Sequence, residues 1–140
     1  PETYDMVEKV KSFKKYCESK GYTDLKWLTS ETGWSSGDLK SDELQAIYEQ
    51  RWMTLNTYYD LFDVLCKYTA MDHDISNVRE QNFGYFKFWK YNDLNYEGKD
   101  NLITLSAFNS IMTNAKPIDD IQTPEFSAFR FKLEDGICVE

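Results

Sequence analysis

The chain has 140 residues, of which 24 are acidic and 16 basic, giving a formal net charge of −8. A chain of this length fits one domain and can bury a core without metal or disulfide support. Its acidity disfavours a general attraction to nucleic acid or to an anionic membrane. Aromatic residues make up 16% of the chain, which argues against disorder despite 29% charged residues.

Cysteine usage and the lack of long apolar runs indicate a cytoplasmic protein. Cys17, Cys66 and Cys138 are odd in number and form no CxxC spacing, so we expect free thiols packed in the core in a reducing compartment. No segment approaches the roughly 20 apolar residues of a membrane span, and the polar start at Pro1 does not resemble a signal peptide. We therefore expect a complete small cytoplasmic protein without membrane contact.

The first half of the chain shows helical periodicity. From about Thr3 to Ser19, apolar residues recur three and four positions apart, which predicts a helix with one buried face. Thr23 and Asp24 then favour the start of a short helix that ends at Gly33. The buried face predicted for the first helix consists of Met6, Val10, Phe13 and Cys17.

The clearest pattern is that of a long helix over about residues 42–68. Ser41 is a favourable N-cap, and the two acidic residues after it suit the positive end of the helix dipole. An apolar stripe then continues to Cys66 without Gly or Pro. At 1.5 Å per residue this helix would be roughly 40 Å long and would form the spine of the domain.

The second half changes to strand-like segments. Residues 83–91 are aromatic without helical periodicity and predict a strand, as do residues 126–133. Asp135-Gly136 is a hairpin signature, so we expect a returning strand at 137–139. Residues 114–124 contain two prolines and predict a loop, whereas residues 106–114 fit either a helix or a strand.

Helices followed by strands predict an α+β fold in a single domain, 1–140. The expected architecture is an N-terminal helical layer within residues 1–70, with one long spine helix (about 42–68). It packs on a small C-terminal antiparallel sheet of three or four strands within residues 80–140.

Motifs for catalysis and metal binding are missing from the sequence. There is no glycine-rich phosphate loop, no GxSxG and no HExxH. Asp72-His73-Asp74 has acid–base character, but adjacent side chains point in different directions unless a turn gathers them. We therefore expect no catalytic residue, no metal and no cofactor.

Alternation in the two best strands predicts one face toward the helices and one aromatic and basic face toward solvent. The outer face could bind a protein, because Trp, Tyr and Arg dominate interface hot spots, or stack the bases of single-stranded nucleic acid. Alternatively, its aromatic side chains pack against each other across the strands. The predicted binding face is Tyr85, Lys87, Trp89, Tyr91, Arg130 and Lys132, and Trp27 and Trp34 are an alternative binding surface between the helices.

These features favour a non-enzymatic protein-interaction module. The profile is that of a small phage or mobile-element inhibitor that blocks a host nucleic-acid-processing protein through an acidic and aromatic surface. The first alternative is a nucleic-acid or nucleotide binding module that uses the aromatic and basic sheet face. The second is a small enzyme with an aromatic-lined α+β pocket, in which His73 or an Asp is the base. The expected partner is a protein, with direct nucleic-acid binding the weaker choice.

Overall fold

The computed structural model describes residues 5–73, 79–88, 96–134 and 136–139, and for residues 80 and 137–139 the backbone alone. Helices and strands both occur in each half, which confirms the α+β class. In chain order the elements are α1 (Asp5–Ser19), β1 (Leu28–Thr32), α2 (Ser36–Leu39), α3 (Asp42–Tyr59), β2 (Val64–Lys67), α4 (Asp100–Met112), β3 (Lys116–Gln122), β4 (Ser127–Leu133) and β5 (Gly136–Val139).

The strands form two separate sheets. β1 and β2 pair in parallel, and α2 and α3 lie between them in the chain. β3, β4 and β5 form an antiparallel sheet in that order, which confirms the small C-terminal sheet with three strands. The predicted helical part, residues 1–70, contains α1, α2 and α3, and it also contains the parallel pair, which the sequence did not predict.

The first predicted helix is confirmed as α1, and its predicted buried face is right at Val10 and Cys17, which are half-buried, but wrong at Met6 and Phe13, which are exposed. Val7 is fully buried, and the half-buried Lys14 lies on the same side of the helix. Lys14 reaches across to donate a hydrogen bond to the carbonyl of Asp60, which explains how a lysine fits this face.

The long helix ends at Tyr59 and not at residue 68. Asp60 takes a left-handed conformation (φ 50°) that ends the helix. The side chain of Asn56 then bonds both the N–H and the carbonyl of Phe62, which turns the chain back toward β2. The apolar spacing continues past the turn because strand residues also pack on the core.

Two further predictions fail because pairing overrides local preference. The short helix predicted to end at Gly33 is the strand β1, and the loop predicted at 114–124 contains the strand β3. Pro117 is tolerated in β3 because this strand lies at the sheet edge and its register shifts just after the proline. Residues 106–112, left open between helix and strand, belong to α4.

The strand predicted at 83–91 is not an extended strand in its described part. Phe86 forms isolated bridges to Met71 and to Gly98 only, and residues 89–91 lie outside the described residues. This segment therefore does not join the antiparallel sheet.

The core lies between α3, α4 and the inner face of β4. The alternation predicted for β4 is confirmed, since Phe129 and Phe131 are buried and Arg130 and Lys132 are exposed. The buried apolar residues that form the core are Val7, Trp52, Leu55, Leu61, Phe108, Met112, Phe129 and Phe131.

Candidate functional site

The parallel pair places the carboxyl ends of β1 and β2 side by side. Leu28 pairs with Val64 at the start of the strands, and Thr32 pairs with Lys67 at their ends. In proteins built from parallel strands and helices, ligands and catalytic groups collect at the carboxyl ends of the strands. This edge is therefore the part of the fold in which a functional site is expected.

Glu31 is the carboxylate at this edge. Its side chain is exposed, and within the described part of the chain it makes no hydrogen bond or ion pair. The next residue, Thr32, is half-buried and pairs with Lys67, and the strand register is irregular between Thr29 and Thr32, where Ser30 and Glu31 are both exposed. The Glu31 carboxylate is thus open to solvent at the end of β1.

The two faces of the parallel pair differ in what covers them. On one face, Leu65 packs against the core formed by α3. On the other face, Leu28 and Val64 are adjacent apolar side chains that are 60% and 52% exposed. The described residues therefore leave this apolar face largely open, whereas parallel sheets are usually covered on both faces.

A buried ion pair lies beneath the carboxyl end of β2. The Lys67 ammonium binds the Glu49 carboxylate of α3, and the two side chains are 13% and 7% exposed. The amide of Asn101 donates to both oxygens of Glu49 at 3.4 Å and to the Gly84 carbonyl at 3.1 Å. Burial raises the pKa of Glu49 and lowers the pKa of Lys67, and their mutual attraction opposes both effects.

A second buried lysine lies next to the first pair. The side chain of Lys99 is fully buried, and its ammonium is 3.1 Å from each oxygen of Asp72. It also contacts the Ser36 hydroxyl at 3.0 Å and one oxygen of Asp42 at 3.5 Å. The two lysines and the carboxylates of Glu49 and Asp72 thus balance in charge inside the protein.

Hydrogen bonds beside this polar cluster hold the loop that follows Glu31. The side-chain amide of Gln45 donates to the Trp34 carbonyl at 2.6 Å. The hydroxyl of Ser35 donates to the Arg79 carbonyl at 2.6 Å. The N–H of Ser36 donates to the Asn82 carbonyl at 2.9 Å. The loop is therefore fixed by hydrogen bonds at three consecutive residues, and the two that involve side chains are part-buried.

Gly84 and Tyr85 bring a distant segment against the same cluster. The N–H of Gly84 donates to Asp72 at 2.7 Å, and a Cβ at residue 84 would clash with the backbone of residues 71 and 72. The Tyr85 ring lies 5.1 Å from the Lys67 ammonium, and burial raises the pKa of the Tyr85 phenol well above its ordinary value.

The structure separates the residues of the sequence-predicted binding face. Tyr85 and Lys87 lie in the segment against the polar cluster, whereas Arg130 and Lys132 lie in β4 of the other sheet. The remaining two residues of that face, Trp89 and Tyr91, lie outside the described residues. A single aromatic and basic sheet face is therefore not formed by the four residues that are described.

Two of the predicted cations are neutralised by neighbouring carboxylates. Arg130 binds Asp119 of β3 through two guanidinium nitrogens. Lys87 binds Glu97. Because each pair cancels its charge locally, these residues present less positive potential to a phosphate backbone than the sequence predicted.

The two tryptophans of the alternative surface pack against neighbours. Trp27 meets the ring of Phe13 edge-on at 5.8 Å. Trp34 stacks on Tyr48 at 6.1 Å and touches the core. Both remain half-buried, and of the two only Trp34 lies on the loop at the strand ends, three residues after Glu31.

Asp72 and His73 diverge, as expected for adjacent residues. Asp72 is buried against Lys99, and His73 is exposed, with its ring edge toward Tyr68 at 6.0 Å. Asp74 lies outside the described residues. Among the described residues, no group of His, Cys, Asp and Glu is arranged to hold a metal ion.

Glu31 and the two buried lysines were not among the site residues predicted from the sequence. A signal for Glu31 existed: a short segment rich in Thr and Ser, ended by Gly33 and followed by a capped helix, is the order of a strand–helix–strand unit. Lys67 and Lys99 had no such signal, because lysine is rarely buried and its partners are distant in the chain.

Comparisons with known proteins give one structural likeness. No protein-family model matches the chain, and no curated protein sequence matches it. A family 39 glycoside hydrolase from the gut symbiont Bacteroides cellulosilyticus WH2 has a similar structure, with a TM-score of 0.75 and 18% sequence identity. The match covers 91% of this chain and 26% of that hydrolase, so the chain spans about a quarter of its length. At this identity the likeness shows the fold alone.

None of the helices in the described ranges has the length and apolar character needed to cross a membrane.

Proposed function

We propose that this chain is part of a glycoside hydrolase and that Glu31 is one of its two catalytic carboxylates. The observation that carries the proposal is the position of Glu31, an exposed carboxylate without a partner among the described residues, at the carboxyl end of a parallel strand. Enzymes built as barrels of parallel strands place their catalytic residues at this end.

The uneven covering of the parallel pair favours a barrel. In an open doubly wound sheet, helices cover both faces, whereas in a barrel the second face of each strand points into a shared interior. Here α3 covers one face, and the other presents Leu28 and Val64 to solvent. Further parallel strands from the rest of the protein would cover these two side chains and close the barrel.

Glycoside hydrolysis explains why an unpaired carboxylate belongs at this place. Water is split across the glycosidic bond: the sugar carbon gains the hydroxyl and the leaving oxygen gains the proton. Two carboxyl groups on either side of the bond supply the acid, and the base or nucleophile. Glu49 and Asp72 are held in buried ion pairs, so the partner of Glu31 would come from the strands that complete the barrel.

The class of activity in this proposal is taken from the protein whose fold this chain resembles. The structure that resembles this chain is described as a glycoside hydrolase, and the present chain corresponds to about a quarter of it. Trp34, half-buried on the loop after Glu31, offers an aromatic surface near the strand ends on which a sugar ring could pack.

The test is the activity of the full-length protein on a panel of nitrophenyl α- and β-glycosides and oligosaccharides. We expect cleavage of at least one substrate and a loss of at least about 10²-fold in kcat for Glu31→Gln, since this change removes the charge and keeps the shape. Glu125→Gln is the matched control, because Glu125 is exposed in the turn between β3 and β4. Equal activity of Glu31→Gln and wild type would refute the assignment.

The protein-interaction module expected from the sequence stays a prediction, as does the nucleic-acid binding module. For the second, the pairing of Arg130 with Asp119 and of Lys87 with Glu97 is unfavourable, because it removes positive charge from the surface that would meet phosphates.

A further inference from the structure

We infer that Lys67, held by Glu49, is a positioning residue that sets the orientation of Glu31. This inference rests on the proposed function, since it assigns to the buried ion pair a role in the same site. In this role Lys67 does not contact the reacting atoms. It acts through the backbone that follows Glu31.

The contact between Lys67 and this backbone is direct. Lys67 pairs with Thr32 in the strand register, and the N–H of Tyr68 donates to the Thr32 carbonyl at 2.9 Å. Gly33 follows in a left-handed conformation (φ 152°), and a Cβ there would lie 2.8 Å from the Lys67 ammonium. The ammonium is thus packed against a residue that is two positions from Glu31.

The ammonium is itself held from two helices. Glu49 of α3 binds it, and Asn101 of α4 donates to Glu49. The Tyr85 ring covers it at 5.1 Å. A lysine with these neighbours keeps one position, so the end of β1 is placed relative to both helices. Catalytic groups need this kind of support, because a displacement of about 1 Å can cost roughly 10²-fold in rate.

Two apolar side chains of the same volume in place of Lys67 and Glu49 would fill the space, but they would not fix the position of Gly33. Buried ion pairs contribute little to stability compared with apolar replacements, so stability alone does not explain why this pair lies beneath the site. Orientation of the loop after Glu31 is the role that its contacts support.

The experiment compares three variants of the full-length protein: Lys67→Met, Lys67→Arg and the double variant Glu49→Leu with Lys67→Met. Each is measured for kcat, for KM and for hydrogen exchange of the backbone at residues 30–36. The double variant is the decisive one, because it removes both charges and so leaves no unpaired buried charge to unfold the protein. Lys67→Arg keeps the ion pair and is the conservative control.

For a positioning role we expect the folded double variant to lose about 10- to 100-fold in kcat, with KM changed by less than about threefold. Exchange at residues 30–36 rises in the same variant, and Lys67→Arg keeps most of the wild-type kcat. A double variant with wild-type kcat and wild-type exchange would overturn the inference. Should wild type cleave no glycoside, the proposed function fails, while the exchange measurement still decides whether Lys67 orders the loop.

Discussion

Removing one partner of the Glu49–Lys67 pair should destabilise the protein much more than removing both. The two side chains are only 7% and 13% exposed, so each variant that keeps one partner leaves an uncompensated charge in the interior. The expected loss for Lys67→Met is about 3–5 kcal/mol of unfolding free energy. Glu49→Leu should lose a similar amount, whereas the double variant Glu49→Leu with Lys67→Met should lose about 2 kcal/mol or less, which gives a coupling free energy of at least about 4 kcal/mol.

The loss in Lys67→Met should also depend on pH. Burial already raises the pKa of Glu49, and without the Lys67 ammonium only the hydrogen bond from Asn101 and the charge of Lys99 oppose that rise. The folded state then holds the proton of Glu49 to a higher pH than the unfolded chain does. The variant is therefore expected to gain stability, relative to wild type, as pH falls from 8 to 5.

Urea unfolding followed by tryptophan fluorescence at pH 8 and pH 5 measures both effects. Lys87→Met is the matched control, because the Lys87–Glu97 pair is 46% and 68% exposed and should contribute less than about 1 kcal/mol. A loss below about 1 kcal/mol for Lys67→Met, equal at the two pH values, would show that the pair is solvated like the control and would refute the reasoning.

Two further changes test other parts of the structure. Gly84→Ala should lower the free energy of unfolding by at least about 3 kcal/mol, because the added Cβ would clash with the backbone at Asp72. Gly21→Ala, at φ 90° but with no atom near its Cβ, should lower it by only about 1–2 kcal/mol. Thermal or urea unfolding measures both. Desolvation and a hydrogen bond to Asp120 raise the pKa of Tyr58 to about 12, so wild-type stability should fall as pH rises from 10 to 12. Tyr58→Phe should reduce that fall and leave the part that comes from the raised pKa of Tyr85, at a cost of about 1 kcal/mol of unfolding free energy at pH 7. An unchanged fall would contradict the assignment.

Some elements followed from local sequence alone. The period of α1 and the capped start of α3 at Ser41 depend on residues within a few positions of each other, and both elements occur. The alternation in β4 likewise predicted which side is buried, since Phe129 and Phe131 lie in the core. Each of these features is determined by contacts between residues close together in the chain, or by the regular spacing of side chains along a helix or strand.

Other elements depended on partners far along the chain. The end of α3 at Tyr59 is decided by Asn56 and by the pairing of β2 with β1, and no local break in the apolar pattern marks it. The edge strand β3 forms despite Pro117 because β4 pairs with it. Helical and strand patterns coincide over such short segments, so pairing determines which one forms.

The candidate site depends entirely on contacts between residues that are far apart in the chain. The residue types of Glu31, Lys67 and Lys99 were visible in the sequence, but a charged side chain is on the surface by default. Only the fold brings Glu49 to Lys67 and Asp72 to Lys99, over separations of 18 and 27 residues, and so allows two lysines to be buried. The sequence determined which charges exist, and the tertiary structure decided which of them are paired inside and which one, Glu31, is left exposed at the strand ends.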